Sequence, residues 1–192
     1  MVPPGIPGRG SGDFSPSYDP DAARRLLADA GYPDGRGFPS IALVSGGSAY
    51  DDAVVAALKA TLGIDVRVET MEANQYFDRL ATDAPAFWSL SWIADYPSPN
   101  DFLGLLLGTG STSNYSRWSS PAFDEAIADA VSATDPGSAR AAYDRAQTVV
   151  QREVPVIPAS YSAGYALVRD GLLGAGQNGL GIIRMAGLAW RP

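Results

Sequence analysis

The chain has no cysteine and no histidine among its 192 residues. Without cysteine it can build no disulfide framework, no thiolate metal site and no lipid-anchored cysteine. Without histidine it loses the commonest general base and the commonest zinc ligand together, which closes the usual routes to hydrolytic chemistry. Long apolar runs are missing as well, since no stretch approaches the roughly 20 residues of a membrane span. Basic clusters are also absent: 14 Lys and Arg stand against 21 Asp and Glu, a formal charge of -7. Neutralising phosphates takes clustered cations, so this balance argues against a nucleic-acid partner and favours cationic or zwitterionic ligands.

What is present is enough apolar residue, 46% of the chain, for one substantial core, or one core plus a dependent segment, and one main domain is the expectation. The opening "MVPPGIPGRGSGDFSPSYDP" is rich in Pro, Gly and Ser and lacks a central apolar region. It reads as an extended lead-in over residues 1–18, neither a signal peptide nor an anchor. From there to about residue 165 the pattern is that of an α/β lobe, and residues 166–192 form a glycine-rich, apolar closing segment.

Within the lobe, Asp19 caps a helix whose first turn holds Pro20, with Ala23, Leu26, Leu27 and Ala30 on one face before Gly31 stops it. "YPDGRGFPS" is a turn-rich connection and "IALVSGG" a short strand. "SAYDDAVVAALKATLG" predicts a second helix, capped near Ser48 and closed by Gly63. "IDVRVE" alternates, Ile64, Val66 and Val68 facing one way and Asp65, Arg67 and Glu69 the other, as in a half-buried strand. Strand, helix and strand in series predict a parallel crossover.

"EANQYFDRLAT" predicts a third helix with Ala73, Phe77 and Leu80 inward, and "FWSLSWIAD" a further strand with Trp88, Leu90 and Trp92 on one face. Trp88 is assigned to the core. Two more helices follow, one from Ser120 and Pro121 with Phe123, Ile127, Ala130 and Val131 at helical spacing. The other, from Asp135 or Ser138, carries Ala139, Ala142, Tyr143, Ala146, Val149 and Val150. "VPVIPASYSAGYALV" reads as strand again, its prolines favouring edges or strand starts.

The stretch that stands out chemically is "WIADYPSPNDFLGLLL", where an apolar run meets water and delivers Asp95 and Tyr96. On the residues alone Asp95 is either a turn former before Pro97 or a fixed charge at the lip of a cleft. Asp95 and Asp101, with Asp83 or Asp124 in reserve, are acids of the kind that run glycoside hydrolysis, but the required separation and raised pKa are not readable from spacing. "GGSAYDD" lacks the lysine and spacing of a P-loop. The expectation is a protein that is not an enzyme and holds no metal or cofactor.

Five segments, "YDPDAARRLLADAGYPDGRGFP", "LGIDVRVETMEANQYFDRL", "WIADYPSPNDFL", "NYSRWSSPAFDEAIADA" and "VVQREVPVIPASY", occur in the order and near the spacing of family 5 extracellular solute-binding proteins, the dipeptide- and oligopeptide-binding receptors of ABC importers. The chain resembles the carboxy-terminal portion of that family from about Pro3 to Trp190. The resemblance implies a three-layer α/β lobe, a mixed sheet flanked by helices, like the second lobe of a type II periplasmic binding protein. It implies that the last segment crosses back to a first lobe near Tyr165 to Asp170. It further implies that Asp95 holds a ligand's α-ammonium, that Trp92 and Tyr96 line the cleft, and that backbone groups at Ser91 and Ile93 pair with a peptide.

Two positions depart from the peptide-binding pattern, Ala73 where a tryptophan is common and Ser89 where an arginine is common, and the wider family also takes nickel complexes, sugars and other small solutes. The implied partners are a short peptide or small solute and an ABC permease. The tail from Leu172 to Trp190 is expected to pack on a first lobe or on a second copy of the chain. The compartment is extracytoplasmic for a fragment of an exported protein. The rival reading is a truncated, repurposed binding or scaffold protein, for instance one sequestering a natural product in the cytoplasm.

Overall fold

The computed structural model describes residues 1–176 and 182–191. The chain divides into two compact units, one of residues 17–91 and one that joins residues 1–16 to residues 92–192.

In the unit of residues 17–91, helix α1 (Pro20–Asp29) starts as expected: the Asp19 carboxylate accepts from the Ala22 N–H at 2.8 Å and Pro20 occupies the first turn. Its apolar face is only partly a core face: α1 buries no residue fully, Leu27 packs partly buried on the small core and Leu26 is exposed. Strand β1 (Ile41–Ser45), helix α2 (Asp51–Leu62) and strand β2 (Val66–Thr70) form the strand–helix–strand series, and β1 and β2 pair in parallel from Ile41↔Val66 to Ser45↔Thr70. The alternation of β2 is realised, with Ile64 and Val66 buried and Asp65, Arg67 and Glu69 exposed. Gly63 ends α2 at φ 72, and a Cβ there would run into the Asp34 carbonyl oxygen. That position needs glycine for both reasons.

Helix α2 begins three residues after the expected Ser48 cap. Asp51 explains this: its Oδ2 accepts from the Ser45 hydroxyl at 2.5 Å and the Ser48 N–H at 2.9 Å, and its Oδ1 accepts from the Ser89 hydroxyl at 3.1 Å. The acid at the first helical position thus ties back the glycine pair instead of leaving Ser48 to cap. Helix α3 (Ala73–Asp83) buries Tyr76 and Leu80, while Phe77 is exposed. Tyr76 takes the inward position because its hydroxyl donates to the Ser89 carbonyl, a bond phenylalanine cannot make.

The expected strand over Phe87 to Asp95 contracts to a single parallel bridge, Val44↔Trp88, with bonds from the Val44 N–H to Phe87 and from the Ser89 N–H to Val44. The ladder stops because β1 ends at Ser45 and Gly47 turns the chain away at φ 95. Trp88 is half-buried rather than core. The small core here is Leu43, Ile64 and Val66, flanked by partly buried Leu27, Phe38, Val54, Val55, Leu58 and Phe87.

The other unit is built on two helices, α6 (Pro121–Ser132) and α7 (Pro136–Glu153), preceded by the short turns α4 (Pro99–Phe102) and α5 (Gly104–Leu107). The inward stripe of α7 matches its spacing, with Ala142, Tyr143, Ala146, Val149 and Val150 buried and Gln147 beside them. On α6, Phe123, Ala126 and Ala130 are buried but Val131 is exposed. The lead-in is not merely extended: Val2 and Ile6 are buried in the same cluster as Phe102, Leu103, Leu107 and Phe123. Gly10 lies so close to the Asp144 carboxylate that a Cβ there would displace that side chain.

The segment 154–170 forms no strand and is largely exposed. Pro155 and Pro158 remove two donors a ladder would need. After it, β3 (Leu172–Leu173) pairs antiparallel with β4 (Ala189–Trp190). Residues 177–181 of the expected apolar tail lie outside the described residues.

Candidate functional site

Four of the five expected site residues, Trp92, Ile93, Asp95 and Tyr96, follow one another on a loop of the unit that contains α6 and α7, and Ser91 is the last residue of the other unit. The loop runs from the end of the β1-bridged segment into α4. Its start is apolar and extended, and its end is fixed by turn chemistry. Ser98 caps α4 by accepting from the Asn100 N–H at 3.2 Å, Pro99 occupies the first position, and the Ser98 N–H donates to the Tyr96 carbonyl at 2.9 Å.

Trp92 is half-buried and packs against the α6–α7 core; its indole N–H is buried without a hydrogen-bond partner among the described residues. Ile93 points to solvent, unusual for its size. Ser91, Asp95 and Tyr96 are exposed. The Tyr96 hydroxyl accepts from the Asn100 side-chain amide at 3.0 Å, which fixes the ring over the loop. The Asp95 carboxylate has neither ion-pair nor hydrogen-bond partner among the described residues. It is therefore not spent on capping its own turn.

Backbone pairing is missing in the same place. Among the described residues no backbone hydrogen bond is made by Leu90, Ser91, Trp92, Ile93 or Ala94. The next residue, Asp95, is held by its main-chain N–H, which donates to Asp101 Oδ2 at 2.8 Å. Asp101, which the sequence offers as the pair of Asp95, is fully buried at 0% exposure, and its Oδ1 has no partner among the described residues. Sequence reasoning missed this role. The only available signal was its position two residues after Pro99, in the first turn of a helix, where carboxylates commonly accept backbone N–H groups.

No group of three or more metal-ligating side chains is found among the described residues. The α6–α7 region offers a cleft lined by Met1, Phe14, Gln147, Val150 and Pro158, whose interior of about 10 Å³ admits one water at most. A shallow depression lies beside the exposed Asp129–Arg145 pair. Neither includes the Asp95 loop. That loop is an open face able to offer a carboxylate, an aromatic edge and a row of unpaired amides.

Comparison with known proteins bears on the family and the fold. Residues 1–114 match the family described as bacterial extracellular solute-binding proteins, family 5 middle. Among curated proteins, the chain is 29% identical over 171 residues to heme-binding protein A of Haemophilus influenzae, covering 85% of this chain and 31% of that protein. It is 28% identical over 159 residues to di/tripeptide-binding protein 1 of Pseudomonas aeruginosa, covering 79% and 30%.

Among solved structures, the murein tripeptide binding protein MppA of Escherichia coli superposes with a TM-score of 0.82 at 26% identity, over 98% of this chain and 38% of its own. The periplasmic binding protein DppA of Helicobacter pylori, in complex with the peptide STSA, gives 0.77 at 25% identity over 100% and 39%. The chain thus spans about a third of the length of these relatives. The fold is the mixed α/β fold of type II periplasmic binding proteins, and no helix of the described residues is long and apolar enough to cross a membrane. On the family match and the fold together, the chain belongs to the bacterial extracellular solute-binding proteins of family 5.

Proposed function

We propose that this chain supplies a ligand-contacting portion of an extracytoplasmic solute-binding protein serving an ABC importer, and that it takes short peptides or amines by their ammonium group. One observation carries the reading. An exposed carboxylate without a partner among the described residues, Asp95, follows a backbone stretch, Trp92 to Ala94, whose amides and carbonyls make no backbone hydrogen bond among them. The carboxylate suits an ammonium, and the unpaired main chain suits an extended peptide laid alongside it in strand fashion, which leaves the peptide's side chains unread. A charge-assisted bond of this kind is worth about 1.5–3 kcal/mol.

Relatives named for haem and for peptides both occur among the matches. With no histidine or cysteine to ligate iron, and with an anion at the exposed position, this chain favours the peptide. It acts by binding, without turnover. In the proposed whole protein, the length that the relatives have beyond this chain closes over the ligand, excludes water and strengthens the Asp95 contact. The chain alone presents an open, hydrated face, so its own affinity is weak.

Titration of the chain with trialanine and with N-acetyl-trialanine, followed by NMR, tests this. The free amine is expected to bind more tightly, and Asp95→Asn to remove the difference while leaving the melting temperature nearly unchanged. Equal binding of the two peptides to the wild-type chain, or an unchanged difference in Asp95→Asn, rules the ammonium reading out.

A further inference from the structure

We propose that Asp101 is a positioning residue: it acts through the main chain of Asp95 to hold the ligand-facing carboxylate in place, and it never touches the ligand. The inference rests on the reading of Asp95 given above. Asp95 has one hydrogen bond among the described residues, from its N–H to Asp101 Oδ2 at 2.8 Å. On one side of it, residues 92–94 make no backbone bonds among the described residues; on the other, the Tyr96–Ser98 and Ser98–Asp101 turn bonds fix the chain only from Tyr96 onward. Trp92 and Ala94 pack against the α6–α7 core, and the Asp101 contact is the hydrogen bond that fixes the Asp95 main chain itself.

Asp101 is well suited to that task. It is 0% exposed, next to buried Phe102 and Leu103, so its carboxylate cannot drift. No salt bridge among the described residues reaches it, and its Oδ1 is buried without a partner. A desolvated carboxylate without a cation works against folding, and stability alone would favour a neutral side chain. What the side chain provides is an accepting oxygen held 2.8 Å from one particular amide. Two further polar groups nearby add no hydrogen bond, since among the described residues the Trp92 indole N–H and the Asn100 side-chain carbonyl oxygen are also buried without partners.

The role is geometric, so the accepting oxygen matters and the charge does not. Asp101→Asn keeps an acceptor; Asp101→Leu removes it. With trialanine and N-acetyl-trialanine as probes, Asp101→Leu is expected to lose about fivefold or more of the preference for the free amine, and Asp101→Asn to retain it. In an Asp95→Asn background, Asp101→Leu should cause no further loss. Hydrogen exchange gives a readout independent of ligand and of any variant's folding: the Asp95 amide, on an exposed residue, should exchange slowly in the wild-type chain.

Retained preference in a folded Asp101→Leu, or a loss in Asp101→Asn equal to that in Asp101→Leu, overturns the proposal. Fast exchange of the wild-type Asp95 amide overturns it too. If Asp95→Asn leaves the preference intact, the ammonium reading falls, while slow exchange of the Asp95 amide would still uphold the tether by itself.

Discussion

Three acids in this chain illustrate how environment assigns work to one side-chain type. Among the described residues, the Asp95 carboxylate is exposed and without a partner, Asp101 is buried with one bond accepted and one oxygen idle, and Asp51 is buried with both oxygens engaged. Asp51 is the structural member. It gathers the Ser45 and Ser89 hydroxyls and the Ser48 N–H, and so fixes the glycine turn that ends β1. Replacing it leaves those buried donors unsatisfied. Asp51→Ala is expected to destabilise the unit of residues 17–91 by about 2–4 kcal/mol, measurable by urea unfolding. Asp95→Ala, by contrast, should leave the unfolding midpoint nearly where it was. The residues that touch nothing are those free to meet a ligand, and the periodicity of the sequence gives no sign of which these are.

At the scale of elements, the helices were the most legible part. Asp19 with Pro20, Ser120 with Pro121 and Asp135 with Pro136 each mark a helix start, because cap and first-turn chemistry is local. Asp135 is the strongest of these caps. It accepts from the Gly137 and Ser138 N–H groups and from the Ser138 hydroxyl, and the Ser138 bonds hold its carboxyl below the usual carboxylate range. A carboxyl depressed on folding stabilises above its unfolded value and loses that contribution as pH falls through the folded one. Helix α7 should therefore weaken on acidification below the ordinary carboxylate range. Asp135→Ala is expected to lower the melting temperature at neutral pH and to flatten its acid limb, as followed by circular dichroism. Glu153, at the other end of α7, is depressed mainly by Arg152, with Ser120 and Trp118 adding to it, and changes in the same direction.

Strands were less legible than helices, for a physical reason. A helix closes its own hydrogen bonds, but a strand exists only where a neighbour runs beside it. The residues from Phe87 to Asp95 have strand composition and alternation, yet Gly47 turns β1 away after Ser45 and leaves them one bridge. The residues of 154–168 have strand composition and no partner among the described residues. Losing the ladder is what exposes the amides before Asp95.

For the whole molecule, the two units differ in how much they bury. Thirteen hydrophobic residues are buried together around α6 and α7, including Val2 and Ile6 from the start of the chain, whereas the cluster under β1 and β2 has three. Stability follows buried apolar area, and local opening is cheapest where that area is least. Native-state hydrogen exchange should find the slowest amides in α6 and α7, with those of β1 and β2 opening at lower free energy. Deleting residues 1–9 should erode the α6–α7 protection, because the deletion removes two members of its core. Equal protection of both units would refute this ordering.

The sequence by itself determined the family, the starts of α1, α6 and α7, the strand–helix–strand series, the alternating face of β2 and the absence of histidine and thiol chemistry, since each depends on neighbours in the chain. Only the tertiary structure decided that Tyr76 and not Phe77 turns inward, that Val2 and Ile6 belong to the core, that the Trp92–Asp95 stretch goes without a strand partner, and that Asp101 lies buried beneath Asp95. Burial and pairing are relations between residues far apart in sequence or set by a particular turn, and hydrophobic period fixes a face without saying what that face will meet.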